Sequence, residues 1–249
     1  MKVLIFTPVW SRGKVTELCY VGLKRFMKTL NSKGIESEVL IIGSPEDEFD
    51  QKSLALKNNF KYISVKNRPV ANKHNEGLKY ALKKLDWDYL MQVSSDNFIK
   101  DEYADHILEH ASNKVPMFGV DRCALVCSKE LKQFSFKVWK EGRLGGVARL
   151  LRRDILQGTI DHFGFVWQPH KNRALDYSSE KQIQLSQRVK PFIIDLDTDI
   201  AIDIKSNVNI NAFNGMYRTA IKRNKVAAEV TDFNGFTPEL TLEALRNLD

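Results

Sequence analysis

No stretch of this 249-residue sequence approaches the ~20 consecutive apolar residues that a membrane-crossing helix requires. Cysteine is scarce, with only Cys19, Cys123 and Cys127. Three thiols do not make a disulfide framework, and they point to a reducing compartment, the cytoplasm. Cys123 and Cys127 have no His or second Cys pair beside them, which argues against a structural zinc site. Internal repeats, low-complexity tracts and a clear linker are also missing. The apolar run Val3-Leu4-Ile5-Phe6 meets Pro8 and Arg12 too soon for a signal peptide's apolar region, so it reads as a first core strand. Negative charge is the scarcer sign. The 31 Asp and Glu residues face 38 Lys and Arg, a formal charge of +7. Such an excess attracts phosphate-bearing partners, and a solvated basic surface is the plain alternative.

What is present is an ordinary globular composition, 43% hydrophobic and 28% charged, on a chain long enough to bury a sizeable core. Residues 3–9 form a short apolar run ended by Pro8 and a Ser11-Arg12-Gly13 turn. Residues 14–33 carry Leu18, Cys19, Gly22, Leu23, Phe26, Met27 and Leu30 as a helical stripe closed by Gly34. Strands are expected at 38–42, 62–65 and 88–93, and a helix at 73–85 with Leu78, Ala81, Leu82 and Leu85 on one face. This order implies an α/β fold whose largely parallel sheet is covered on both faces. Thr7-Pro8-Val9, Ser44, Asn67-Arg68 and Asp96-Asn97 then fall just past the carboxyl ends of successive strands. That rim is where open sheets bind ligands.

The C-terminal half is less regular. Residues 118–126 read as one strand, 134–139 as a short aromatic segment, and Gly142 to Gly146 as a flexible loop followed by a helix over 147–156. Residues 158–174 are rich in aromatic, His and Gly residues and suggest an active-site loop. Further expectations are a helix over 180–188, strands at 192–194 and 200–204, and a last helix with Thr237 as N-cap and Pro238 as its first residue. Asp195, Asp197, Asp199 and Asp203 alternate with apolar residues and read as a solvated strand face, a metal site being the alternative. Lys137, Lys140, Arg143, Arg149, Arg152 and Arg153 are opposed only by Glu141 and Asp154. They form a candidate docking surface for an anionic partner.

Two segments point to specific chemistry. Asn72-Lys73-His74-Asn75-Glu76-Gly77 opens a helix, and the buried strand that follows ends at Ser94-Ser95-Asp96-Asn97. Together they resemble the nucleotide-sugar half of a GT-A glycosyltransferase of the family-2 type, over residues 1–100 and more faintly over 140–185. The resemblance implies a GT-A-like mixed, mostly parallel sheet flanked by helices. It implies a single domain over 1–249, with a nucleotide-sugar-binding half at 1–100 and an elaborated acceptor-binding half at 101–249.

In the donor site so implied, Thr7, Pro8 and Val9 line the base and ribose, and Ser44 lies near the base with Glu46 or Asp47. Asn67 and Ser95 share the rim. Lys73 reaches a diphosphate from a helix N-terminus, and Asn75 orients the loop. A divalent ion, Mn²⁺ or Mg²⁺, would sit on Asp96, with Asn97 adding a carbonyl oxygen. Where the family commonly has two or three acids, this chain has Asp96 alone. The resemblance also implies a general base at the start of a C-terminal helix. Asp176 is the match there, with Glu180 and Asp154 as rivals and plain helix capping as the competing role. Trp139, Trp167 and His170 are candidate stacking platforms.

The activity implied is inverting transfer of a sugar from a nucleotide donor, a UDP-sugar, to an acceptor hydroxyl on DNA or on a glycan. A degenerate GT-A-like module that binds nucleic acid or partners without catalysis is the first alternative, suggested by the missing acids. A nucleotidyltransferase is the second, and it would want a Gly-rich first loop that Ser11-Arg12-Gly13-Lys14 does not supply.

Overall fold

The computed structural model describes residues 1–137, 142–205, 215–218, 226–230 and 237–248. Trp139, Lys140 and Glu141 lie outside the described residues. The first half runs β1 (Lys2–Pro8), α1 (Gly13–Ser32), β2 (Glu36–Gly43), α2 (Gln51–Lys57), β3 (Lys61–Ser64), α3 (Val70–Lys84) and β4 (Tyr89–Gln92). After the β4 loop come β5 (Asn97–Ile99), α4 (Tyr103–Ser112), β6 (Met117–Gly119), β7 (Arg122–Cys127), β8 (Lys132–Lys137) and β9 (Arg149–Arg152). Then follow α5 (Arg153–Phe163), α6 (Leu175–Gln187), β10 (Phe192–Ile193), β11 (Ala201–Lys205), β12 (Val226–Val230) and α7 (Leu242–Arg246).

The strands form a seven-stranded sheet, β10-β6-β9-β4-β1-β2-β3, and a five-stranded sheet, β12-β8-β7-β11-β5. In the larger one β4, β1, β2 and β3 run parallel, and β9 is inserted antiparallel between β4 and β6. Side-chain alternation shows why both faces are covered. On β1, Val3 and Ile5 join one apolar cluster while Leu4 and Phe6 join another. Helix α1 closes the first face through Cys19, Tyr20, Leu23, Phe26 and Leu30. On the other face lie α3, through Leu78 and Ala81, and α5, through Ile155 and Leu156. Each such aliphatic side chain contributes roughly 1.5–3 kcal/mol when fully buried. At Gly77 helix α3 comes so close to the sheet that a Cβ would lie 2.9 Å from the Phe6 ring and 2.8 Å from Ile42.

Several expectations are corrected. Residues 118–126 are two strands, β6 in the large sheet and β7 in the small one, with Val120 and Asp121 crossing between them. Both pieces are buried, so no change of period marks the switch. Residues 147–156 are not one helix: Arg149–Arg152 is strand β9, with Leu150 and Leu151 in opposite clusters, and α5 starts at Arg153. Helix α5 continues to Phe163, so only the second part of 158–174 is loop. Helix α6 begins at Leu175, ahead of Glu180. The last helix is capped by Thr241, whose Oγ1 accepts from Ala244 N at 3.0 Å. Thr237 and Pro238 precede it, in a turn whose Glu239 is ion-paired to Arg25 at 3.0 Å.

Candidate active site

The carboxyl ends of β1 and β4, the loop after β3 and the edge of the small sheet enclose a cavity of about 990 Å³. Lys73 gathers three loops on its rim. Its Nζ donates to Val9 O at 2.5 Å, to Ser44 Oγ at 2.8 Å and to Asn67 Oδ1 at 3.4 Å. The side chain is buried, and burial pulls its pKa down to about 8 against the upward pull of Asp47 and Glu46. The rim expected from strand ends is therefore physically assembled, with Pro8, Val9, Asn67, Lys73, Ser95, Asp96 and Asn97 lining the cavity. Thr7 is fully buried beneath it. Asn75 is also buried: its Oδ1 accepts from Val166 N and Trp167 N, both at 3.0 Å, and its Nδ2 donates to Trp167 O at 2.6 Å. It thus fixes the segment after α5. Trp167 is core, stacked on Phe6 with centroids 6.2 Å apart, and His170 is exposed away from the cavity lining.

The loop after β4 is a tight turn in which Asn97 Oδ1 accepts from Ser94 N at 2.9 Å. That oxygen is thus used within the loop. Asp96 Oδ2 lies 2.6 Å from Arg12 Nη1, an ion pair at the cavity floor. Opposite stands β11, where Asp203 is in register with Asn97 and Asp203 Oδ2 meets Lys205 Nζ at 2.5 Å. Asp203 Oδ1 is buried and has no hydrogen-bond partner among the described residues. Burial, reinforced by the charge of Asp96, pushes the Asp203 carboxyl up to about 6. Burial pulls Lys205 down, but Asp203 and Asp96 together raise it above the ordinary lysine value. Asp203 is therefore part of a buried charge cluster, not of a solvated strand face. Arg12 and Lys205 were missed as candidates, and Asp203 was read first as part of a solvated face, with a metal site only as the alternative. The signal was available in the pattern Ile202-Asp203-Ile204-Lys205, two opposite charges two residues apart on one face of an apolar strand.

Asp176 lies in the first turn of α6, is half-exposed and lines the same cavity. The N-cap is Ala174 and no side chain caps the helix, so Asp176 is not its cap, although as an acid in the first turn it also suits the helix N-terminus. Its Oδ1 accepts from Gln92 Nε2 at 3.2 Å and lies 3.7 Å from Arg149 Nη2. Arg149 is fully buried, donating to Asp176 O at 3.1 Å, Gln92 Oε1 at 3.0 Å and Ser179 Oγ at 2.8 Å. The carboxylate rests on Gly146, where any Cβ would meet Asp176 Oδ2 at 2.2 Å. Glu180 is buried outside the lining, held by Arg143 Nε at 2.9 Å and by Leu144 N at 3.4 Å. Asp154 is exposed and paired with Arg152 at 2.6 Å.

The expected basic docking surface is dispersed into separate partners. Lys137 pairs with Asp121, Arg143 with Glu180 and Arg152 with Asp154, while Arg149 is interior and Arg153 covers Trp87.

The sequence matches no established family model and no curated protein. Solved structures do share the fold. A fragment of TarS from S. aureus, residues 1–349, superposes with a TM-score of 0.54 at 13% identity, covering 82% of this chain and 60% of the fragment. The same fragment in complex with UDP-GlcNAc gives 0.51 at 12% identity, over 84% and 60%. A 4-diphosphocytidyl-2C-methyl-D-erythritol synthase gives 0.50 at 11% identity, over 88% of this chain and 97% of the synthase. The fold is GT-A-like. This chain thus spans 60% of the TarS fragment it matches.

A GT-A-like fold raises the question of a divalent ion. The oxygen types suit a hard cation: Asp96 and Asp203 line the cavity and Asp203 Oδ1 is a buried oxygen with no partner among the described residues, while Asp96 Oδ2 and Asp203 Oδ2 are held by Arg12 and Lys205.

Proposed function

We propose that the protein is a glycosyltransferase that moves a sugar from a nucleotide-sugar donor, a UDP-sugar, to an acceptor hydroxyl with inversion. The observation that carries this is Asp176, a half-exposed carboxylate fixed by Gln92 and seated on Gly146, in the same cavity as Asp96 and the rim of β1 to β3. The shared fold of TarS, which binds UDP-GlcNAc, supports the donor class. Residues 1–100 supply most of the donor half and 101–249 the acceptor half of one domain, with Asp203 and Lys205 reaching across to the donor side.

Pro8, Val9 and Asn67 surround the base and ribose, with Thr7 and Ser44 buried behind them and Lys73 keeping the rim in shape. Ser95 and Asp96 lie by the diphosphate, where Arg12 and Lys205 add fixed positive charge. A Mn²⁺ or Mg²⁺ ion would be held there by Asp96 and Asp203, beside Asn97, and would supply charge against the departing nucleoside diphosphate. Asp176 acts as general base. Gln92 holds its Oδ1, which leaves Oδ2 to take the proton as the acceptor oxygen bonds to the anomeric carbon and the bond to the diphosphate breaks. Arg68 and Arg173 line the cavity, exposed and without an ion pair among the described residues. They favour an anionic acceptor such as DNA or a phosphate-bearing glycan.

The test is nucleoside diphosphate release from a panel of nucleotide-sugars, each with Mn²⁺ and with EDTA. The wild type should release UDP, and Asp176→Asn should retain donor binding but lose about 10²–10⁴-fold in turnover. Full turnover by Asp176→Asn would remove the assigned base. Pyrophosphate release from nucleoside triphosphates mixed with a sugar or polyol phosphate, with no UDP release from the nucleotide-sugars, would favour nucleotidyl transfer instead, the second reading, motivated by the near-complete coverage of the synthase.

A further inference from the structure

Helix α4 carries a feature that sugar transfer does not use. His106-Ile107-Leu108-Glu109-His110 sets two imidazoles one turn apart on one helical face, with a carboxylate beside them. The ligand atoms of His106, Glu109 and His110 all lie within 4.8 Å of one another. The two rings are within 11° of parallel, with centroids 6.4 Å apart. His110 is held in place by Phe118 of β6 and Phe192 of β10, at 5.6 and 4.7 Å between centroids. None of the three residues lines the cavity, and none of their side chains makes a hydrogen bond or ion pair among the described residues.

We propose that His106, Glu109 and His110 form a binding site for a borderline-soft divalent transition metal such as Zn²⁺, Ni²⁺ or Cu²⁺, separate from the active-site cavity. Two imidazole nitrogens and one carboxylate oxygen are the ligand types these ions take, whereas Mg²⁺ and Ca²⁺ prefer all-oxygen sets. A single helix supplies every ligand, so little chain has to be ordered on binding. The ion would join the end of α4 to the edge of the large sheet through the contacts of His110 with Phe118 and Phe192. Three protein ligands leave a position for water or for a partner's side chain.

Titration of the untagged protein with ZnCl₂ in a non-chelating buffer, followed by calorimetry, tests the site. One equivalent of Zn²⁺ should bind with saturation and should still bind to Asp96→Ala. His106→Ala removes an unburied ligand without disturbing the Phe118 and Phe192 contacts, and Glu109→Gln removes the carboxylate. Each should weaken binding by at least the roughly 10-fold typical of losing even a supporting partner. UDP-induced stabilisation should be the same in wild type and His106→Ala, so the outcome does not depend on the proposed sugar transfer. No saturable Zn²⁺ binding, or equal affinity in wild type and His106→Ala, would overturn the proposal.

Discussion

Asp176 can act as a base only where its carboxylate is held, and three distant segments hold it: Gln92 at the end of β4, Arg149 on β9 and Gly146 in the loop before β9. The Gly146 contact is the most exacting of these, because a methyl group there would overlap Asp176 Oδ2. Gly146→Ala is therefore expected to shift the carboxylate while leaving the donor rim intact. Misplacement by about 1 Å can cost roughly 10²-fold in rate. Turnover should fall by about that factor with nucleotide affinity unchanged, and a steady-state measurement separates the two. Asp176→Asn should fold normally, because Arg149 keeps the Asp176 carbonyl, Gln92 and Ser179 as partners. Asp96 and Asp176 stood out in the sequence because each sits where an apolar strand ends or a helix begins. Gln92 and Lys205 did not. They lie inside strands, where a polar residue in one sequence looks the same whether it meets solvent or a distant carboxylate.

Helix α3 ties the cavity rim to the core through His74 as well as Lys73. The His74 ring is buried, its Nδ1 lies 2.9 Å from Val70 O, and burial pushes its pKa down to about 4. Unfolded, the ring titrates near 6.5. Between those values the unfolded chain binds a proton that the folded chain refuses, so this contribution is complete above about pH 6.5 and lost as pH falls through about 4. A shift of that size corresponds to about 3 kcal/mol. His74→Asn keeps a polar side chain at that position but not the titration. Its urea midpoint should vary less with pH over that range than the wild type's, and an unchanged slope would exonerate His74. Elements α1, β1, β2 and α3 were legible because one-faced helices and doubly buried strands leave distinct periods. The pieces β6, β7 and β9 were not, since short strands that change sheets within a continuous apolar run carry no period of their own.

Across the whole molecule, two sheets meet at one cavity, and each brings a carboxylate paired to a cation: Asp96 with Arg12, and Asp203 with Lys205. The first half of this arrangement followed from strand ends converging on a rim. The second did not, because it depends on β11 pairing with β5, distant in sequence, with Asp203 opposite Asn97. The consequence is a polar floor suited to a diphosphate beneath a rim suited to a nucleoside. Thermal unfolding with UDP, GDP, CDP and dTDP, each with Mn²⁺ and with EDTA, examines that arrangement directly. A ligand at ~100 times its Kd adds ~2.7 kcal/mol, which for a chain of this size raises Tm by roughly 5–10 °C. The expected result is stabilisation by UDP that is larger with Mn²⁺ than with EDTA and is lost in Asp96→Ala. No shift with any nucleotide, or an equal shift in Asp96→Ala, would contradict a donor site in this cavity.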